Sequence, residues 1–126
     1  MDLSENQLTF LPPEIGQLDQ LRDISTINNQ LIALPPEIGQ LKRLARLNLR
    51  DNNFVSLPPE IGQLKNLIDL SLSHNQLTSL PAEIGHLKQL QKLYLAGNPL
   101  CQNKKQRAKI KSLLPNCDIR WANAFW

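Results

Sequence analysis

The chain contains few aromatic residues, no long apolar run and no obvious leader, and each shortage excludes a class of protein. Aromatic residues make up 5% of its 126 residues, so its core must consist mainly of aliphatic side chains. No apolar run approaches the ~18 residues that a membrane-spanning helix needs. The first ten residues contain neither a basic nor an apolar stretch, so no secretory signal is predicted within this chain. The localisation stays open: cytoplasmic by default, and secreted if a longer parent protein carries a signal.

Catalytic and metal-binding patterns are also missing from the sequence. It contains no glycine-rich phosphate loop, no HExxH and no GxSxG. The two histidines, His74 and His86, have no activated nucleophile beside them in the sequence pattern. The two cysteines, Cys101 and Cys117, come without the further Cys or paired His residues that metal sites use. We therefore predict a protein that is not an enzyme, has no cofactor and takes no small-molecule substrate.

Leucine is abundant, and its placement repeats strictly. The segment LPPEIGQL occurs three times and LPAEIGHL once, at a constant step of 23 residues, beginning at Leu11, Leu34, Leu57 and Leu80. A fixed period of this length is typical of one supersecondary unit stacked on copies of itself. The full unit reads LxxLxxLxLxxNxLxxLPxxIGx and recurs about four and a half times over residues 1–100. Residues 101–126 depart from it and are predicted to form a C-terminal cap.

The unit resembles the leucine-rich repeat family, whose signature is LxxLxLxxNxL. This resemblance implies an α/β solenoid with a curved parallel sheet on its concave side, short helical or 3₁₀ turns on its convex side, and a C-terminal helix–strand cap. The segment from Asn98 resembles the caps of bacterial members, including spirochaete ones, which run NPL, a polar helix, LLPxC and a strand. Because many such proteins are thought to engage partner proteins, the resemblance also implies a protein–protein interaction module.

Local patterns predict the elements of each unit. The LxL pairs alternate with polar residues, as half-buried strands do. In LPPEIG, the proline suits the first position of a helical turn and the glycine suits its end. Thr26 replaces a core leucine, so its hydroxyl is expected to need a hydrogen-bond partner. The second repeat is therefore expected to be the least stable. One Asn follows each strand and is expected to satisfy the backbone of the turn, at Asn6, Asn29, Asn52, Asn75 and Asn98.

The cap is predicted to contain a helix from about Asn103 to Leu114, ended by Pro115. Three apolar residues at helical spacing should face the last repeat, namely Ile110, Leu113 and Leu114. Three more alternate as a closing strand should, namely Cys117, Ile119 and Trp121. Cys101 and Cys117 are expected to be reduced thiols, with a disulfide across the helix as the alternative.

Function is expected at the positions that the repeat leaves free on the strand face. Parallel strands in register place equivalent residues side by side, so these positions form columns. One column alternates in charge through Asp23, Arg46, Asp69 and Lys92; the alternative interpretation is a solvated ladder worth ~0–1 kcal/mol per pair. Tyr94, Arg46 and Arg50 are the favoured anchors, because aromatic and arginine residues often anchor interfaces. The predicted partner-binding residues are Asp23, Ser25, Ile27, Arg46, Asn48, Arg50, Asp69, Ser71, Ser73, His74, Lys92 and Tyr94.

The net charge of +3 is unevenly distributed along the chain. Residues 1–98 contain eight bases against ten acids, whereas residues 99–126 contain six bases against one acid. Two alternatives to a stand-alone interaction module therefore stay open. The repeats could be a regulatory part of a larger signalling protein, or the basic cap could bind membrane or nucleic acid electrostatically. Because a solvated helix face explains the same charge, we expect a protein partner rather than nucleic acid or membrane.

The sequence begins inside a repeat, without the polar cap that terminal repeats normally carry. Either a longer array precedes this segment, or another molecule covers its N-terminal end. We expect four apolar residues to be exposed there and to promote self-association, namely Met1, Leu3, Leu8 and Leu11. At the other end, Phe125 and Trp126 have no assigned core.

Overall fold

The computed structural model describes residues 1–122, so Phe125 and Trp126 lie outside the described residues. Within them, five short strands form one parallel sheet in chain order: β1 (Asp23–Ser25), β2 (Arg46–Asn48), β3 (Asp69–Ser71), β4 (Lys92–Tyr94) and β5 (Asp118–Arg120). One α-helix, α1, spans Lys104–Leu113 and precedes β5. The 3₁₀ helices are Pro13–Gln17, Pro36–Gln40, Pro59–Gln63, Ala82–His86 and Pro99–Gln102. Strands stack on strands and the first four 3₁₀ helices stack on one another, which confirms the predicted solenoid.

Apolar residues at the middle of each strand fix the register of the sheet. Ile24, Leu47, Leu70 and Leu93 pair in sequence across β1 to β4, and each is at most 2% exposed. The last pairing joins Leu93 to Ile119, although 26 residues separate them rather than 23. Because the middle residue of each three-residue strand faces the core, its two neighbours face outwards. The predicted columns on the strand face are therefore confirmed.

The Asn residues form the predicted ladder along the buried turn. Asn75, for example, donates to the carbonyl oxygens of Leu49 and Leu72, both at 3.0 Å, and its Oδ1 accepts the N–H of Phe54 at 3.1 Å. The same pattern recurs at Asn29, Asn52 and Asn98, and all four residues are buried. Asn6 differs because it is exposed and donates to carbonyl groups of its own repeat. Each buried Asn thus ties its own repeat to the preceding one.

The glycine of LPPEIG has a different role from the predicted one. Proline does occupy the first helical position, as at Pro36, but Gly39 lies inside the helix Pro36–Gln40 and Leu41 caps the end. The interpretation of this glycine as a helix terminator was therefore wrong. A Cβ added at Gly62 would lie 2.6 Å from the carbonyl oxygen of Glu83 in the next repeat. The glycine is needed because successive 3₁₀ turns stack too closely for a side chain.

Thr26 interrupts an otherwise apolar core position. Its side chain is 0% exposed, and within residues 1–122 its Oγ1 has no hydrogen-bond partner. The expected partner for this hydroxyl is therefore not found. An unsatisfied buried hydroxyl loses its hydrogen bonds to water without replacement, which disfavours the folded state. The equivalent residues of the neighbouring repeats are Leu3 and Leu49, so the site accepts an apolar group.

Replacing Thr26 with valine is expected to stabilise the protein. Valine has nearly the same shape and removes the unsatisfied hydroxyl, so the free energy of unfolding should rise by about 1–2 kcal/mol. Urea unfolding followed by circular dichroism measures the change. Thr78→Val is the matched control, because Thr78 is exposed and its change should stay within about 0.5 kcal/mol. Equal effects at the two positions would show that the buried hydroxyl is not the cause.

The cap has the predicted helix and strand. Helix α1 begins after Asn103, whose Oδ1 accepts the N–H groups of Lys105 and Gln106 at 3.0 and 3.2 Å. Ile110 and Leu114 are 1% and 5% exposed. Leu113 packs on the core, and so do the residues that flank or form β5, namely Cys117, Ile119 and Trp121. Within the described part of the chain, neither α1 nor any 3₁₀ helix has the length and apolar character that crossing a membrane requires.

The first repeat is attached to the sheet by a single bridge, Asp2 to Ser25, rather than by a strand. Backbone bonds still hold it, such as Leu3 N–H to the Ser25 carbonyl at 2.8 Å. Met1 is 37% exposed, as expected, whereas Leu3 and Leu8 are half-buried. The expectation was wrong for Leu11, which is 4% exposed because it belongs to the buried apolar cluster.

Candidate functional site

The charged column on the sheet is longer than the sequence indicated. Asp23, Arg46, Asp69 and Lys92 are register partners across β1 to β4, and β5 adds Asp118 beside Lys92. Arg46 Nε lies 3.4 Å from Asp69 Oδ2, with the two side chains 66% and 20% exposed. Such exposed pairs contribute about 0–1 kcal/mol, so the arginine can exchange this contact for one with a partner. The column therefore presents alternating charges to solvent.

Strand β5 contributes two residues that sequence reasoning missed, Asp118 and Arg120. The guanidinium of Arg120 donates to both carboxylate oxygens of Asp118, at 2.8–3.0 Å, and Arg120 lies beside Tyr94 in the sheet. The side-chain hydrogen bond from Arg120 holds the pKa of Asp118 below its usual value. The 23-residue period ends at Asn98, so it does not align these residues. The alternation of apolar residues in CDIRW was the signal that could have placed both on the outer face.

Three predicted contact residues are buried and therefore offer little surface to a partner. Asn48 is 6% exposed, and Ser71 and Ser73 are 0% exposed. Asn48 Oδ1 accepts the N–H of Arg50 at 3.2 Å, so it supports the backbone of its own strand end. Within residues 1–122, the Ser73 hydroxyl has no hydrogen-bond partner. The accessible part of the predicted surface therefore consists of the longer side chains around these small residues.

The longer side chains surround two shallow depressions on the sheet. One is lined by Arg46, Asp69, Lys92 and Tyr94. The other lies towards the N-terminal end, and its lining includes Arg46, Asp23, Ser25 and Ile27. Arg46 belongs to both, so it separates them. A surface with cations, carboxylates, a phenol and one aliphatic group is suited to a polar partner that places side chains in the depressions.

His74 belongs to a column whose residue types are constrained by the backbone. Its φ is 59°, and left-handed values recur in every repeat, at Glu5, Asn28, Asp51 and Gly97. Such values are uncommon for residues other than glycine, although asparagine, aspartate and histidine adopt them more often than the rest. The imidazole of His74 lies where a side chain on Gly97 would otherwise sit. The exposed His74 is therefore available to a partner, but its position is set by the turn.

Neither the histidines nor the cysteines form a reactive centre in the described residues. His86 lies at the end of a 3₁₀ helix, away from His74 on the strand side, and no cluster of three or more potential metal ligands occurs within residues 1–122. Both cysteines are free. Burial raises the pKa of Cys101, and it raises the pKa of Cys117 to about 11. Both thiols are therefore protonated at neutral pH and are poor nucleophiles.

The basic residues of α1 divide into two groups. The guanidinium of Arg107 lies 4.8 Å from the centre of the Trp121 ring, so this cation stabilises the packing of the cap. The lysines of α1 are exposed, namely Lys104, Lys105, Lys109 and Lys111. These lysines form the accessible basic surface.

Comparisons with known proteins identify the repeat. A sequence profile for the leucine-rich repeat matches residues 42–100. The chain is 46% identical to the LRR protein LIC12759 of Leptospira interrogans, with a TM-score of 0.92, and the match covers 96% of this chain and 30% of that protein. It is 34% identical to the LRR ectodomain of the receptor kinase SOBIR1 from Arabidopsis thaliana, with a TM-score of 0.67, covering 75% of this chain and 54% of that one.

A more distant structure shows the same fold. The match to TLR13, solved in complex with ssRNA13, has 26% identity and a TM-score of 0.82, and covers 97% of this chain and 18% of that protein. No curated protein sequence matched the chain. In each of the three structural matches, the chain corresponds to part of a longer protein.

Proposed function

Because the chain belongs to the leucine-rich repeat family, whose domains typically act as protein–protein interaction modules, we propose that it binds a protein partner through its sheet. The observation that supports this proposal is the arrangement on the sheet. Charged and aromatic side chains line a depression on the sheet, namely Arg46, Asp69, Lys92 and Tyr94. A partner's side chain can enter this depression beside Arg46 and Tyr94.

The residue types at these positions fit an interface. Arginine and tyrosine are enriched among the residues that contribute most to binding. Arg46 is accessible and makes a weak ion pair with Asp69, whereas Tyr94 is half-buried and held between β3 and β5. A partner that contacts both would span the centre of the sheet. The alternating charges would then select its orientation, because a shifted partner brings like charges together.

The first test compares variants of the two sides of the solenoid. Arg46→Ala and Tyr94→Ala should each weaken capture of a partner by roughly tenfold or more, with little change in melting temperature. Lys65→Ala is the control, because Lys65 is exposed outside the sheet. Immobilised wild-type protein and each variant are incubated with the same extract, and bound proteins are quantified by mass spectrometry. A protein retained equally by all four would contradict binding through the sheet.

Two alternatives are tested by different observations. The first alternative is a regulatory part of a larger signalling protein, and it is supported by the similarity to the ectodomain of a receptor kinase. The length of the parent reading frame tests it. The exposed lysines of α1 suggest electrostatic binding, and the TLR13 structure is a complex with RNA. Electrostatic binding predicts that the protein is retained on heparin and that this retention falls as the salt concentration rises. It also predicts that retention is lost when Lys104, Lys105 and Lys109 are replaced with glutamine.

We also infer that the 126-residue polypeptide self-associates weakly through its N-terminal end. Leu18 is 47% exposed, whereas the leucines at its position in later repeats are at most 1% exposed. Together with Met1 and the half-buried Leu3 and Leu8, it leaves an apolar end. Burying ~300 Å² of apolar surface at ~25 cal/mol per Å² provides about 7 kcal/mol before the costs of association. Leu18→Lys should abolish this contact.

A further inference from the structure

One flank of the solenoid carries no charge, although 20% of the residues in the chain are charged. This neutral flank consists of the segments between each ladder Asn and the following 3₁₀ helix, residues 6–13, 29–36, 52–59 and 75–82. Backbone hydrogen bonds join successive segments, such as Gln30 N–H to Leu8 O and Asn53 N–H to Leu31 O, both at 2.8 Å. The neutral flank is therefore one continuous surface.

Three large apolar side chains are exposed on this flank. Phe10 is 66% exposed, Ile32 is 60% exposed and Val55 is 54% exposed. Ile32 and Val55 occupy the same position in successive repeats, and Phe10 occupies the adjoining position in the repeat before. The residues on either side of these positions, such as Leu31 and Leu34, face the core, so the residues between them face solvent. The exposure of the three is a property of the repeat and not of a chain end.

The size of this stripe lies in the range of apolar patches that often have a function. At these exposed fractions, the three side chains present roughly 300 Å² of apolar surface, the range in which patches on monomers are often functional. A stable interface buries about 800 Å² on each partner, with an apolar centre and a polar rim. The stripe supplies such a centre. The exposed amides and partly exposed prolines around it supply a rim, namely Gln30, Asn53, Pro35 and Pro58.

The opposite flank carries a net positive charge. Between the 3₁₀ helices and the strands, exposed cations recur in successive repeats, at Arg22, Lys42, Arg43, Lys65 and Lys88, and they outnumber the single acid there, Asp19. When a surface meets its own copy about a two-fold axis, charges of one sign approach one another. The cationic flank would therefore repel a second copy, whereas the segments of the neutral flank contain no charged residue. Charge thus selects which flank can face itself.

We propose that two copies of this chain dock through their neutral flanks, about a two-fold axis that lies in the interface at Ile32. The stripe is centred on this residue. In the antiparallel arrangement, Ile32 meets Ile32 of the second copy and Phe10 meets Val55 of the second copy. The sheets of both copies stay free, so this contact goes beyond partner binding through the sheet and does not depend on it.

Sedimentation equilibrium over a range of concentrations tests the proposal. Wild-type protein should form a dimer. Ile32→Lys should raise its dissociation constant by roughly a hundredfold or more, because the two-fold axis places the two introduced lysines next to each other. Thr78→Lys is the matched control, since Thr78 occupies the Ile32 position two repeats later and lies beyond the stripe. Leu18→Lys distinguishes association through the N-terminal end. A monomeric wild type, or a dimer lost in Leu18→Lys but kept in Ile32→Lys, would overturn the proposal.

Salt and cross-linking provide readouts that do not depend on a disruptive variant. Because no charged side chain lies in the stripe, raising the NaCl concentration should leave the dimer intact or strengthen it. Under oxidising conditions, Ile32→Cys should form a disulfide-linked dimer, whereas Thr78→Cys and the wild type should not. A dimer that dissociates in salt, or an Ile32→Cys dimer that does not cross-link, would contradict the two-fold contact at Ile32.

Discussion

Replacing Asn75 with alanine is expected to lower the free energy of unfolding by about 3–5 kcal/mol, because it leaves several buried backbone groups without partners at ~1–3 kcal/mol each. The amide of Asn75 satisfies the carbonyl groups of Leu49 and Leu72 and the N–H of Phe54 at the same time. All of these groups lie in the buried turn, where water cannot replace the lost bonds. Urea unfolding of the variant and the wild type measures the difference.

Asn6→Ala is the matched control for this prediction. Asn6 occupies the same position of the repeat, but it is exposed, so water can satisfy the groups that it releases. Its replacement should change stability by about 1 kcal/mol or less. If the two alanine variants unfold at the same urea concentration, the ladder does not contribute through burial, and the argument fails.

Replacing Leu114 with aspartate is expected to destabilise the C-terminal repeats first. Leu114 is 5% exposed in the core cluster, so the variant would bury a charge or force the cap to detach, at a cost of several kcal/mol. The stability of a repeat protein is approximately the sum of the stability of each repeat and of the interfaces between adjacent repeats. The loss of stability should therefore be greatest near α1. Hydrogen exchange measured by mass spectrometry should show lost protection around β4 and β5 and retained protection around β2.

The control for the cap is Ser112→Asp on the same helix. Ser112 is exposed, so a carboxylate there stays hydrated and should leave the exchange pattern unchanged. Uniform loss of protection along the Leu114→Asp variant would show that the chain unfolds as one unit. That outcome would contradict the view that each repeat is stabilised mainly by its contacts with adjacent repeats.

The sequence predicted the framework because one 23-residue pattern specifies it. Each repeat has the same apolar positions, so the register of β1 to β4 follows from the period alone. The Asn ladder could be predicted for the same reason, and the cap helix could be placed from its apolar spacing and Pro115. These features depend on contacts between equivalent residues, which a periodic sequence displays directly.

The remaining features depend on distances that no periodic pattern contains. The glycine of LPPEIG is required by the approach of Glu83 to Gly62, which is visible once the turns are stacked. Ser71 and Ser73 occupy outward positions in the pattern, yet their larger neighbours bury them. Asp118 joins the charged column because α1 is inserted between two strands, and this breaks the period. The exposure of Ile32 likewise becomes evident from the packing of its neighbours.

The geometry of the Asn ladder also has an evolutionary consequence. Each buried ladder Asn accepts from a residue 21 positions earlier and donates to one 26 positions earlier, and both spacings recur at Asn29, Asn52, Asn75 and Asn98. A gain or loss of 23 residues therefore restores the same contacts between new neighbours. An insertion of a single residue before a ladder Asn changes both spacings and breaks the bonds at that step. Genes for such proteins can thus change length by duplication or deletion of whole units, while shorter insertions within a unit are selected against.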